Sequence, residues 1–189
     1  MSDKKYEFTG ETKIVFGVTL KRIRAVRAIG FIEAGTIGGW ISSEANLSQV
    51  YGNAWVYGSA LVYGDARVSG DARVYGDALV YGSARVYGNA WVYGNARVSG
   101  NAQVYGDAWV YGNARVSKPI VVATRSDGYT FTLTHQGKNA PRIAAGCRFF
   151  TMKEAREHWT RTRGGTPLGA ETDSILDHFE RMIAAGALK

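Results

Sequence analysis

Ala54-Trp55-Val56-Tyr57-Gly58-Ser59-Ala60-Leu61-Val62-Tyr63-Gly64-Asp65 states a six-residue unit twice. The chain keeps repeating that unit as far as Ser117. Valine recurs every sixth place from Val50 to Val116, alanine from Ala54 to Ala114 and glycine from Gly52 to Gly112. The unit reads Ala-x-Val-Tyr/Ser-Gly-Asn/Asp/Ser, and its eleven copies without an insertion predict a solenoid. Ala and Val lie two apart, so both face one side of a short strand while the residue between them faces the other. Gly followed by Asn or Asp tolerates left-handed backbone and turns the chain. Each hexapeptide is then one strand and one corner, with small residues inside a narrow parallel β-helix.

The variable position between Ala and Val gives the size of the coil. Sorted by eighteen residues it forms three columns: Trp55, Arg73, Trp91, Trp109; Leu61, Leu79, Arg97, Arg115; and Arg67, Arg85, Gln103. Sorted by twelve, the same residues scramble. The acids agree, because no Asp then lies directly above another, and the column 53, 71, 89, 107 alternates Asn and Asp. Coils stack about 4.8 Å apart, where like charges repel, so the spacing predicts a coil of three sides with Val50 to Val116 inside.

Outward from the repeat, the chain divides into an N-terminal β-cap (1–47), the β-helix (48–117) and a C-terminal cap (118–189). Residues 6–33 read as strands that close one end, with Lys21–Arg27 mixing bases and apolar residues. Beyond Lys118-Pro119, Ile120–Ala123 and Tyr129–Thr134 read as a hairpin turned by Ser126-Asp127-Gly128. Thr151 and Glu154 form a capping box that starts a helix through Trp159. After a loop from Arg161 to Gly169, a last helix spans about Thr172–Ala185. Its stripe of Ile175, Leu176, Phe179, Met182 and Ile183 must be covered by the solenoid or by another subunit.

The net charge of +7 is uneven: +2 over residues 1–49, +1 over 50–117 and +4 over 118–189. It serves solubility or an anionic partner; without a dense Lys/Arg run, generic nucleic-acid binding has little support. The one cysteine, Cys147, excludes an internal disulfide and fits a reducing compartment as a buried apolar residue. The first residues, Met-Ser-Asp-Lys-Lys, carry no apolar leader, and no run is long enough to span a membrane. The expectation is a soluble cytoplasmic protein, in the host cytoplasm if a phage encodes it.

The hexapeptides resemble the hexapeptide-repeat, left-handed β-helix superfamily of trimeric LpxA-like acyltransferases. Gly38-Gly39-Trp40-Ile41 through Glu44 and Asn46-Leu47-Ser48, running into Gly52-Asn53-Ala54-Trp55-Val56, resembles more narrowly the YdcK-like proteins and phage-encoded β-helix proteins. The likeness runs from about Leu20 to Ser117 and returns faintly at Ile143 to Trp159. One departure stands out: the superfamily puts glycine directly after the aliphatic residue, whereas Tyr or Ser takes that place here. The resemblance implies a left-handed trimer. It also implies a histidine base beside the coils if the chain were an acyltransferase, yet His135, His158 and His178 all lie in the C-terminal third. His158 and His178 read as helix-surface residues, and no metal site or cofactor is expected.

Two exposed constellations remain. Trp55, Trp91 and Trp109 share an outer face too apolar to leave in water, so with Ile175, Phe179 and Met182 they are the expected subunit interface. Tyr57, Tyr75, Tyr93 and Tyr111 beside them read as a stabilising ladder. Arg67 lies above Arg85, and Arg97 above Arg115. Stacked guanidiniums beside Tyr63, Tyr81, Tyr87 and Tyr105 suit a phosphate and a base. The reading is a non-enzymatic homo-oligomeric β-helix, expected to be a trimer. Its expected ligand is a small anionic nucleotide, and for a phage protein that means sequestering an immune second messenger. A scaffold or adhesive module without a small ligand is the alternative, and an acyltransferase relic is a third.

Overall fold

A computed structural model describes residues 4–118, 120–136, 140–146 and 148–186, with residues 135, 136 and 140 described as backbone only. The fold is mainly β. The N-terminal strands are β1 (Tyr6–Val15), β2 (Val18–Ala25) and β3 (Ile37–Ile41). Ten two-residue strands follow: β4 to β13 are Trp55–Val56, Leu61–Val62, Arg67–Val68, Arg73–Val74, Leu79–Val80, Arg85–Val86, Trp91–Val92, Arg97–Val98, Gln103–Val104 and Trp109–Val110. They are succeeded by β14 (Ala114–Val116), β15 (Val121–Thr124), β16 (Thr130–Gln136), β17 (Ala140–Ala145), β18 (Arg148–Phe150), α1 (Met152–Arg163) and α2 (Pro167–Ala184).

Strands eighteen residues apart pair in parallel register, Trp91 with Trp109 and with Arg73, Arg67 with Arg85, and Leu61 with Leu79. The coil is therefore three-sided and runs for about four turns. Backbone bonds are made between coils: the Arg73 N–H donates to Ala90 O at 2.9 Å and the Tyr75 N–H to Val92 O at 3.0 Å. Every Ala from Ala54 to Ala114 and every Val from Val56 to Val110 is fully buried or within 1% of it. The Asn/Asp alternation closes a corner ladder, with Asn53 Nδ2 donating to Asp71 Oδ1 at 2.8 Å and Asn89 Nδ2 to Asp107 Oδ1 at 2.9 Å. At the same corner Gly70, Gly88 and Gly106, each just before its Asn or Asp, stack with positive φ. A Cβ on Gly88 would lie 2.8 Å from the Gly106 nitrogen, so the coils close only because that atom is missing.

Val50 departs from the expected interior: it is 77% exposed. Leu47 takes its inward place, paired with Val68, as Ile41 pairs with Val62, at twenty-one residues instead of eighteen. The surplus loops out at Gln49–Gly52 and is pinned by the N-terminal segment. Lys5 Nζ donates to the carbonyls of Tyr51 and Gly52, and Gln49 bonds the backbone of Lys5 and Tyr6. Burial pushes the Lys5 amine below its ordinary range. Buried Asn46 seals the turn before it, accepting from the N–H groups of Ser42 and Ser43 and donating to the carbonyls of Gly64 and Ala66.

Both caps grow from one face. A single eleven-stranded sheet runs β1-β2-β3-β5-β8-β11-β14-β16-β17-β18, with β15 beside β16. It is antiparallel at each end and parallel between. The other faces are the sheets β13-β10-β7-β4 and β12-β9-β6. At the C-terminal end, Phe131, Leu133, Ile143, Ala155, Trp159, Leu176 and Phe179 form a second core. The α2 stripe is thus covered by this chain's own strands and α1. Phe179 is fully buried there, and Ile175 and Met182 pack at its margin, half-buried. The capping box forms as the sequence predicts. Helix α2 starts earlier than the apolar stripe, because Thr166 caps it and Pro167 suits its first position. Cys147 lies outside the described residues.

Candidate functional site

The side chains between Ala and Val stand outward, one column per face. On the sheet β6-β9-β12 this column is Arg67, Arg85 and Gln103, in register on neighbouring strands. The residue after each valine lies beside it, giving Ser69, Tyr87 and Tyr105. Tyr87 and Tyr105 stack at 5.6 Å and 17°, and the Tyr87 hydroxyl donates to Gln103 Oε1 at 3.3 Å. Ser69 holds the place where most repeats carry a tyrosine, so the ladder stops one rung short. The missing ring opens an outward groove of about 330 Å³ lined by Arg67, Ser69, Arg85, Tyr87 and Gln103.

The second arginine pair is on the long sheet, with Arg97 and Arg115 in register on β11 and β14. The stack beside it, Tyr63 on Tyr81 at 5.2 Å and 5°, ends at Ser99, again a serine in a tyrosine position. Burial raises the Tyr63 hydroxyl's pKa, and Arg97 opposes the shift. The expected residues therefore divide into two clusters on different faces. Arg67, Arg85 and Tyr87 meet in one groove over Tyr105, while Arg97, Arg115, Tyr63 and Tyr81 form the other. The groove also uses Ser69 and Gln103, which the sequence reading passed over. The visible signal was Ser at 69 and 99, each interrupting a tyrosine column next to an arginine pair.

The electrostatics of the two clusters follow from their partners. Four arginines outside the coils are held by carboxylates: Arg22 by Glu11, Arg24 by Glu7, Arg125 by Asp127, and Arg156 by Asp177 and Glu180. Arg67, Arg85, Arg97 and Arg115 make no ion pair to any described residue, and all four are exposed. Two like charges per cluster, with hydroxyls and ring faces beside them, make a receptor for an anion carrying a planar group.

The aromatic face is partly closed. Trp55 is wholly buried, packed edge-on against Tyr6 at 6.2 Å under the N-terminal cap. Its ring fits because residue 38 is glycine, where a Cβ would lie 2.8 Å away. Trp55 is therefore cap core and no surface for another subunit. Trp91 and Trp109 remain half-buried and stack at 5.3 Å and 6°. Three of the four tyrosines beside them stack as a ladder, Tyr75 on Tyr93 at 4.7 Å and Tyr93 on Tyr111 at 5.1 Å, while Tyr57 stands edge-on to Tyr75 at 6.3 Å. Burial there pushes the Tyr75 hydroxyl up to about 12.

His158 lies against Phe150 and 3.0 Å from an Arg148 nitrogen, and burial followed by Arg148 and Arg161 lowers its pKa. His178 sits on α2 beside Phe179. Of His135 only the backbone is described, in register with Arg115. Among the described residues no three His, Cys, Asp or Glu side chains converge on a metal position, and no helix is long and apolar enough to cross a membrane.

No curated protein matches this chain. The YdcK Beta solenoid repeat family matches residues 48–64, 72–88, 84–100 and 90–106, in steps that are multiples of six residues. The likeness therefore lies in the coils, and what the chain shares with that family is its β-solenoid repeat.

Proposed function

We propose that this protein is a non-catalytic β-solenoid that binds a small anionic ligand of nucleotide type, assembled as a closed homo-oligomer, a trimer by resemblance. The observation that carries the reading is the groove at Arg67 and Arg85. It holds two exposed guanidiniums in register with no carboxylate partner among the described residues, an open-faced tyrosine stack and an amide. Phosphate takes bidentate bonds from arginine, and a base stacks where the ladder lacks its ring at Ser69. Arg97 and Arg115 beside Ser99 form a second cluster of the same chemistry. For a phage-encoded protein the biological sense is sequestration of a signalling nucleotide.

The test is calorimetric titration of ligand-free protein with linear and cyclic nucleotides, parent against Arg67→Ala/Arg85→Ala. Affinity should fall at least tenfold, since one charge-assisted contact contributes about 1.5–3 kcal/mol. Equal binding by both proteins moves the site to Arg97 and Arg115. No binding across the panel rejects the reading and leaves a scaffold.

A further inference from the structure

A second cleft, of about 250 Å³, opens where the last coil meets the C-terminal sheet. Its walls are Trp109 and Asp107 from the coil, and Tyr129, Thr130, Thr132 and Gly146 from the cap. Trp109 is the last rung of its column, because β13 ends the sheet β13-β10-β7-β4. Trp91 covers one face of Trp109 in a parallel stack. Among the described residues no ring stacks on its other face, and the cleft begins there. The same stack shows what such a face accepts. At its other end the Arg73 guanidinium lies 5.0 Å over the Trp91 ring.

The polar lining matches this preference. Asp107 uses Oδ1 to accept from Asn89 and has no other described partner, so its second oxygen and most of its charge remain available. Thr132 is only 1% exposed, yet its hydroxyl makes no hydrogen bond to a described residue. The Thr130 hydroxyl is paired with that of Thr124 at 3.3 Å and keeps one lone pair. Among the described residues no Lys or Arg lines the cleft, in a protein of net charge +7. Arg125, which lies over the Tyr129 ring, is buried and its charge is met by Asp127. An aromatic face, a carboxylate and unfilled acceptors, with no competing cation, attract a positive planar group and repel phosphate.

We infer that this cleft is a receptor for a small organic cation of the guanidinium type, stacked on the free face of Trp109 with Asp107 as its counter-charge. It lies on a different face from the arginine groove and carries the opposite charge preference, so it stands or falls independently of the nucleotide reading.

The probe is agmatine, which carries a guanidinium on a short alkyl chain. Titration of the full chain should quench tryptophan fluorescence saturably and give a matching calorimetric isotherm. Asp107→Asn, which keeps an acceptor for Asn89, should weaken binding about tenfold. Trp109→Leu should abolish the optical change and weaken the isotherm. Far-ultraviolet circular dichroism and the melting curve of each variant show whether the solenoid is intact, and Asp107→Asn serves if Trp109→Leu does not fold. (4-Aminobutyl)urea, which keeps the chain and terminal ammonium of agmatine and puts a neutral urea in place of its guanidinium, should bind at least tenfold more weakly than agmatine. No saturable binding of agmatine, equal binding by Asp107→Asn, or equal binding of the urea each overturns the inference. Binding of choline in preference to agmatine overturns the guanidinium assignment.

Discussion

Replacing one corner glycine with alanine tests how the coils are held together, and two positions separate the causes. Gly88 and Gly112 have φ of +68° and +62°, so alanine at either carries the same left-handed penalty. That penalty is about 1–2 kcal/mol, offset by the about 0.4–1 kcal/mol gained from a stiffer unfolded chain, leaving about 1 kcal/mol. They differ in surroundings. A Cβ on Gly112 meets nothing within 4 Å, whereas one on Gly88 meets the Gly106 nitrogen at 2.8 Å and its Cα and oxygen at 3.2 Å. That obstacle is backbone, which cannot rotate away, so two coils must part locally. Overpacking of this kind costs a further 1–3 kcal/mol or so, giving about 3 kcal/mol for Gly88→Ala against about 1 for Gly112→Ala. For a chain of this length the melting temperature should fall by about 6–12 °C and 2–4 °C respectively. Urea denaturation and calorimetric melting read both values. Equal losses at the two sites would refute the argument that close approach of stacked corners, beyond backbone conformation, demands glycine.

Val86→Trp should destabilise by several kcal/mol, on the order of 3 or more, because the interior has no room, while Val50→Trp should stay within about 0.5 kcal/mol on its exposed loop; equal melting would invalidate the inward assignment. Trp91→Glu should weaken self-association more than Arg73→Glu, by placing a charge where a large apolar ring packs. Sedimentation equilibrium should give three times the 20.5 kDa of one chain for the parent, and a parent sedimenting as one chain rejects the assembly. Arg125→Met removes bonds from a buried guanidinium to Asp127 and Thr172, and should cost the C-terminal cap about 2 kcal/mol by differential melting. The hydrogen bond from Arg125 holds the Asp127 carboxyl down to about 2. A lowered folded pKa stabilises above the ordinary carboxylate range and is lost as pH falls, so the parent should weaken between about pH 4 and 2 and Arg125→Met should show a flatter profile there.

The coil was legible because its evidence is local and repeated. Each outward side chain has its neighbour eighteen residues away, and the column of Asn53, Asp71, Asn89 and Asp107 recorded that pairing as hydrogen-bond donors set against acceptors. Where the repeat begins, the pattern misleads. Val50 is in phase with the later valines, but the three surplus residues before Gly52 displace it, and Leu47, out of phase, goes inside. Trp55 has the sequence signature of Trp91 and Trp109, and only the path of a distant segment through Tyr6 and Gly38 decides that it is covered. The α2 stripe announced that it needed a partner and not which one; β16 and β17 supply it. Of the candidate site, the arginine pairs were legible from period alone. The groove was less so, because it arises from an absent side chain at Ser69.

The single sheet that joins both caps gives the molecule a mechanical grain. Its strands lie across the solenoid axis, so their hydrogen bonds run along it. A pull that separates β1 from β18 therefore strains those bonds end-on, and they open one row at a time instead of shearing together. Each row that gives way frees eighteen residues, about 60 Å of extended chain. The protein should lengthen in even, weak steps, like a spring uncoiling turn by turn. The buried plug of Asn46 at one end and the arginine-braced cap at the other are where such unwinding is arrested.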